Sequence, residues 1–515
     1  MNNKLMGKWT LIFKSTLTIL LCLIPGLSYS QLSLNAENMA LGGGGTSYLT
    51  GYEALFVNPA NLFINEKDQP VQLSLFQGAF IYHSILPGTD NQNRWHQFLS
   101  VIKPYDPELN QQIDPDIREL LLQRNFNGEN LRRSFSAQTE MNWFGLKWKG
   151  EDRNYAIALR TRVGNQFQIG KGVFAEEIDT KIINQSFYQR YQVLHELSFG
   201  FSEVFTFLNG INPKLSTFII GIAPKIVLPG AGLNVNFNNN YSFDSAEFFW
   251  ENNPEYHQIT SGSFSNSEMN PFHNLFNNEE RPVLINESFK NHLKPSGWGV
   301  GLDVGLTYLI TFDNELYIPG SDNLIANQSI RFSLSFTDIG ATYINKDPIE
   351  YHSDLESSLS NRPGPVSELI FSGSPNEHYN FLTEFSTQPI FNSGTGSTDN
   401  FLMMLPSSVQ TGALIQYHWF KFMGDASYTM SDNAFKPAGL ISYLGTEIRP
   451  LPYLPLRAGT RFGKELPVVF SFGTGIETSY FDLNAAIMFR GGSGDDSLIS
   501  NEVVGASVIG LTIFL

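Results

Sequence analysis

The sequence predicts an all-β fold: a transmembrane antiparallel β-barrel of about 14 strands with an N-terminal hatch, or plug, held inside it. Three observations predict it. Segments that alternate apolar with polar residues recur from Val71 to the end of the chain, and a period of two is what a strand with one lipid face and one lumen face requires. Charged residues are few (16%), while aromatics (13%) and glycine (44 residues) are plentiful, a balance that suits a barrel with aromatic girdles better than a soluble globule. Beyond the first thirty residues no run reaches the roughly 18 consecutive apolar residues of a spanning helix.

Residues 1–30 read as a signal peptide: Lys4, Lys8 and Lys14, an apolar stretch from Leu17 to Leu27, then small Ser28 and Ser30 before Gln31. Pro25 and Gly26 interrupt the apolar stretch, which argues against a retained anchor. Cys22, the only cysteine, follows Leu20 and Leu21, where lipoprotein processing wants small residues. Cleavage after Ser30 removes it, which excludes disulfides and thiol chemistry from the mature chain. The formal charge of −16 becomes more negative without those lysines, so nucleic acid is not expected as a partner.

Residues 31–68 form the expected hatch. The stretch Ala36–Ile64 is apolar yet carries Gly42, Gly43, Gly44 and Gly45, then Asn58, Pro59 and Ala60. It is too glycine-rich for one regular element and too apolar for a solvated tail.

The barrel is expected over 69–515, with long extracellular inserts near 84–138, 229–296 and 345–408. Val71, Leu73 and Leu75 alternate with Gln72 and Ser74 in a strand to about His83. The first insert carries a predicted short helix around Asp116–Gln123, with Pro115 at its start. Strands at 139–149 and 153–163 flank a turn at Gly150, Glu151 and Asp152. In the second, Arg160 and Arg162 must face the lumen, because an arginine facing lipid costs about 2–4 kcal/mol at mid-membrane. Glu196 alternates with Leu197 in the next strand. Its partner, Leu215–Leu228, is expected to break at Pro224, a possible gap in the wall, and again at Pro229 and Gly230. The most regular strand sets Val300, Leu302, Val304 and Leu306 against Gly299, Gly301, Asp303 and Gly305, whose small inward positions leave room for the hatch. Ile330, Phe332 and Leu334 then alternate with Arg331 and Ser333. From 409 onward seven strands follow in quick succession, at about 409–418, 421–430, 438–449, 455–463, 467–477, 480–490 and 502–515. The expected lumen set is Arg160, Arg162, Glu196, Asp303, Arg331, Asp425, Arg457, Arg461, Glu477 and Asp482, with Arg490 beside them. The mixture of signs does not make a selective pore.

Several stretches resemble the FadL-type outer-membrane proteins, a superfamily that includes hydrophobic-compound channels and the PorV-type secretion proteins of Bacteroidetes-like bacteria. They are Asn58–Pro59–Ala60 after the glycine run, Gly297–Tyr308, Asp338–Ile339–Gly340, Leu405–Ser408 leading to Gly412, and Leu456–Gly459 followed by Gly473 and Gly475. The resemblance covers most of the mature chain and implies a 14-stranded barrel with an N-terminal hatch and, in channel members, a side opening. Long inserts and Phe514 one place before the end depart from that pattern.

No catalytic constellation is visible. The nine histidines show no metal-ligand spacing, no nucleophile elbow occurs, and Gly297, Gly299 and Gly301 lie in a strand rather than opening a helix. No cofactor or metal is expected, and an enzyme is not the reading. The expected function is a passive channel for a small hydrophobic or amphipathic compound, the alternative a closed barrel that holds a secreted or surface protein, and outer-membrane lipid is an expected partner in both.

Overall fold

Fourteen antiparallel strands close on themselves in the computed structural model, which describes residues 34–67, 69–84, 105–106, 111–112, 132–170, 183–205, 216–244, 249–265, 288–312, 328–354, 357–359, 395–435, 438–463, 466–490 and 503–515. In chain order they are β1 (Val71–Ser84), β2 (Arg132–Lys149), β3 (Arg153–Gly170), β4 (Ile183–Val204), β5 (Ser216–Asp244), β6 (Gly297–Thr311), β7 (Gln328–Ile344), β8 (Ser408–Tyr417), β9 (Phe420–Thr429), β10 (Gly439–Leu451), β11 (Leu454–Gly463), β12 (Leu466–Glu477), β13 (Phe481–Arg490) and β14 (Val503–Phe514). Each pairs with the next, and β14 returns to β1 with Gln72 opposite Phe514 and Ile81 opposite Gly505. Closure leaves no free edge in the wall, the condition for a sheet in lipid. Among the described residues no helix is long and apolar enough to cross a membrane.

The alternation sorts side chains as lipid demands. On β4, Leu197 and Phe199 point outward while Glu196, Ser198 and Ser202 are buried inside. The outward set continues around the wall through Ile226, Val300, Phe332, Phe422 and Phe472. One end of the barrel carries the joins 150–152, 418–419, 452–453 and 478–480 and the C-terminus, where Leu515 donates its N–H to Val71. This is the turn end, and the opposite end is the loop end.

Several strands run further toward the loop end than the sequence suggests. β2 begins at Arg132 rather than 139, β3 ends at Gly170 rather than 163, and β5 runs on to Asp244. In the added part of β5 the alternation continues with its faces exchanged, Leu233, Val235 and Phe237 buried and Asn234, Asn236 and Asn238 on the outer side, so the pattern of an apolar outer face ends while the ladder continues. The stretch after 229 therefore starts as strand. Residues Phe249–Ser261 pair with the upper half of β5, Asn236 opposite His257, and with Ile349–Asp354, which pairs in turn with Thr395–Ser397. Part of the 229–296 and 345–408 stretches thus forms a sheet rising from the rim. The predicted helix at 116–123, the expected leader and residues 245–248 lie outside the described residues.

At Pro224 the ladder is interrupted on one side only. Pro224 sits opposite Leu302 of β6, and toward β4 the ladder omits only Phe199 and Gly200 before resuming in register at Phe201 opposite Ile222. Pro229 is absorbed differently: it faces Leu194, and a register shift between Gln192 and Leu194 takes up the change, as a bulge does.

Candidate functional site: the barrel interior

The hatch is built from short, capped elements. Asn35 caps helix α1 (Ala36–Ala40) by accepting the Asn38 N–H at 2.7 Å. Gly42, Gly43 and Gly45 then turn the chain with φ of +91°, +104° and +82°, a region glycine adopts at little steric cost. Two single-turn 3₁₀ helices follow, Tyr52–Phe56 and Pro59–Phe63. Asn58 caps the second through the Ala60 N–H, with Pro59 at its first position.

Close approach fixes this segment to the wall. A Cβ on Gly305 would lie 1.9 Å from Asn58 Oδ1, and one on Gly221 would lie 2.1 Å from the Pro59 carbonyl carbon. The other expected spaces differ: Gly301 faces Leu405 and Lys225, and Gly299 faces Thr342 of the neighbouring strand. Asn58 Nδ2 donates to Thr307 Oγ1 at 3.0 Å and to Thr46 O at 3.0 Å, and Thr307 donates to Asn61 at 2.6 Å. Lys147 donates to the carbonyls of Thr50 and Ile64 at 2.7 and 2.9 Å, Asn154 to that of Leu62 at 2.9 Å, and Ser47 to Asp425 at 2.6 Å. The hatch backbone lacks a sheet to satisfy it, and these wall side chains supply partners instead.

Toward the loop end lies a belt of buried ion pairs on six consecutive strands. Arg160 of β3 donates to Glu196 of β4 at 2.5 and 3.0 Å and reaches Glu140 of β2 at 3.5 Å. Arg162 bridges Glu196 to Asp338 of β7, the latter at 3.1 Å. Lys225 of β5 holds Asp303 of β6 at 2.8 Å and also Asp338. Asp338 occupies a bulge in β7 with φ +58°, and its N–H donates to Asp303 at 2.5 Å. Two rings cover the belt: Phe56 of the hatch lies 3.7 Å from the Arg160 guanidinium, and Phe435, between β9 and β10, lies 5.0 Å from that of Arg162. Phe435 and Ala434 pack inward on Leu194, Val227 and Leu405.

A second charge cluster closes the turn end. Arg457 holds Glu447 and Glu477 at 2.6 Å each, and Arg449 joins the same two acids at 2.7 Å. Hatch residues reach into it: Lys67 pairs with Asp482, and Glu66 with Lys421 at 3.0 Å.

Of the lumen residues expected from the sequence, Arg160, Arg162, Glu196 and Asp303 meet in the belt, Arg457, Glu477 and Asp482 meet at the turn end, and Asp425 holds the hatch. Arg331 lies apart from the belt, donating to Gln416 at 3.1 Å, and Arg461 is buried in β11. The Arg490 side chain lies outside the described residues. Sequence reasoning missed Glu140, Lys225, Asp338, Glu447 and Phe435. Lys225 and Glu447 have a charge alternating with apolar neighbours as their signal; Phe435 sits in a short loop with none.

Between hatch and wall at the turn end is a cavity of about 130 Å³. Glu37, Glu53, Lys147, Gln72, Gln77 and Asp482 are among the residues that line it. It is polar, and Pro224 does not border it. Among the described residues no three acids, histidines or cysteines converge to hold a metal.

A family model described as a family of unknown function, DUF5723, matches residues 90–446. No curated protein matches the chain. Among solved structures, a mutant of the TodX monoaromatic hydrocarbon channel is similar at 13% identity and a TM-score of 0.41, covering 93% of this chain and 99% of that one. The Pseudomonas putida toluene transporter TodX is similar at 12% identity and a TM-score of 0.38, covering 95% and 98%. A Pseudomonas aeruginosa FadL homologue is similar at 10% identity and a TM-score of 0.40, covering 95% and 99%.

Proposed function

We propose that this chain, which belongs to the DUF5723 family of unknown function, is a bacterial outer-membrane β-barrel that stays closed and presents its loop-end sheet to a secreted or surface protein. The outward apolar belt supports residence in lipid. The observation that carries the closed reading is the filling of the interior at three levels: the hatch, the ion-pair belt and the inward Phe435 loop. Displacing the belt means separating buried charges, which costs several kcal/mol per pair. The sheet built on β5, residues 249–261 and 349–354 supplies a surface beyond the membrane.

In liposomes, the intact chain should leave permeability to small solutes and small hydrophobic compounds at the level of protein-free vesicles. Saturable flux through the intact chain would overturn the reading. Surface crosslinking in cells should give a discrete protein adduct, lost when the hairpin is shortened between the paired Asn236 and His257.

A second reading is passive passage of a small hydrophobic or amphipathic compound, favoured by the FadL-type stretches and by a cavity beside the hatch. It requires that deletion of Gly42–Leu62 raise flux, and an unchanged flux removes it.

A further inference from the structure

The turn-end cavity has an unbalanced lining. Its cations are already engaged: Lys147 with two hatch carbonyls, Lys67 with Asp482, and Arg449 with Glu447 and Glu477. Two hatch carboxylates on the cavity wall have weaker cationic partners or none at ion-pair distance. Glu37 has one distant cation, Arg457 at 3.8 Å, and that guanidinium already holds two other acids at 2.6 Å. Glu53 is 7% exposed and has no cation within ion-pair distance among the described residues. Its Oε2 lies where a Cβ on Gly51 would come within 2.2 Å, so the glycine leaves the space this carboxylate occupies. The amide side chains of Gln72 and Gln77 complete the lining nearby.

We propose that this cavity binds a small organic cation, a protonated amine, with Glu53 and Glu37 as its charge partners. An anion would meet more acids than free cations. A metal ion is disfavoured because the acids do not converge on one point, whereas an amine with a short carbon chain can fill about 130 Å³ and present donors to separated oxygens.

The electrostatics agree in direction. Burial pushes the Glu53 carboxyl up to about 7, against the pull of a backbone hydrogen bond, of Lys147 and of the Gln77 amide, and Asp482 adds repulsion. Burial also raises Glu37, where Arg457 and Lys421 pull down and Glu477 and Glu66 add repulsion. Burial outweighs the nearby cations at both acids, so a bound ammonium would lower them and release protons.

The test is calorimetric titration of the full mature chain in detergent with 1,4-diaminobutane and butylamine, run beside butyrate and calcium chloride. The expected result is saturable binding of an amine, tighter at pH 8 than at pH 6, and weakened at least tenfold by Glu53→Gln. Glu37→Gln should weaken it by a smaller factor. Glu53→Gln is nearly isosteric, and its folding is checked by heat-modified mobility in electrophoresis. Absence of saturable amine binding, equal binding of butyrate, binding of calcium alone, or full amine affinity in a folded Glu53→Gln chain would each overturn the proposal. Because the readout is binding, it stands or fails separately from the flux and crosslinking tests.

Discussion

The two charge clusters inside the barrel are made of the same residue types but differ in what they join. In the belt, every partner comes from the wall, and Arg160, Arg162, Lys225, Glu196, Asp303 and Asp338 are all nearly inaccessible. At the turn end, part of the cluster ties wall to hatch, and those pairs keep access to water: Lys67 and Asp482 at 19% and 16%, Lys421 and Glu66 at 12% and 30%. The belt braces the cross-section of the barrel, whereas the turn-end pairs tie the hatch to the wall. Buried pairs are costly to break by halves, while exposed pairs contribute little and are screened by salt.

The sharpest way to break the comparison is to remove one member of the belt. Glu196 accepts from both Arg160 and Arg162, so Glu196→Ala leaves two buried guanidinium groups short of a partner. The expected loss is about 3–5 kcal/mol, read as a lower urea midpoint and loss of the heat-resistant folded band. A change under 1 kcal/mol would mean that the belt does not brace the wall.

Next in size is a pH dependence located in the hatch. Glu53 is raised by burial to about 7 from an ordinary value of 4.5, so the folded chain binds its proton more tightly than the unfolded chain. Its contribution is most favourable below pH 4.5, declines as pH rises toward 7 and is level above that. The span corresponds to about 3 kcal/mol at most. Glu53→Gln should flatten this part of a stability profile, and an unchanged slope would assign the dependence elsewhere.

The contrast between wall and hatch also explains what could be read from the sequence. The wall within lipid was legible because every second residue must be apolar: Leu197 and Phe199 against Glu196 and Ser198 fix strand, face and lumen together. Toward the loop end the polarity of the faces inverts: Leu233, Val235 and Phe237 of β5 are buried and Asn234, Asn236 and Asn238 take the other face, so the segment no longer reads as a lipid-facing strand although its ladder is continuous. Which lumen charges would meet was not legible, because Arg162 and Asp338 are 176 positions apart and are brought together only by closure. Asp338 stood out as part of Asp338–Ile339–Gly340, but its role depends on a bulge that alternation cannot reveal. Phe435 had no partner in its own segment to indicate that its loop turns inward.

A third change tests how closely the hatch is fitted. Gly305→Ala places a methyl group where Asn58 Oδ1 lies, 1.9 Å from the new Cβ, so either the capped turn or β6 must shift. Overpacking of this kind costs about 1–3 kcal/mol. The belt should keep the barrel folded, and the loss should appear in the hatch as faster hydrogen exchange at Asn58–Phe63. Unchanged exchange would show that the turn tolerates displacement.

The smallest expected effect lies at the fastening itself. Lys421→Ala removes the 3.0 Å pair with Glu66, but Glu447 keeps Arg449 and Arg457 at 2.7 and 2.6 Å, so no acid of the wall is abandoned. Glu66 is 30% exposed and can turn to water, which limits the global cost to under about 1 kcal/mol. The local consequence is measurable because Cys22 is the only cysteine in the sequence and falls in the segment expected to be cleaved. A single cysteine at Asn65, on the edge of the cavity, reports hatch release as its rate of maleimide labelling. That rate should rise in Lys421→Ala and also in the otherwise unchanged chain as sodium chloride goes from 0.05 to 0.5 M, about the range over which surface pairs are screened. A cysteine placed at Ala434, above the belt, should show no such salt response. Equal salt sensitivity at both positions would erase the distinction between brace and fastening.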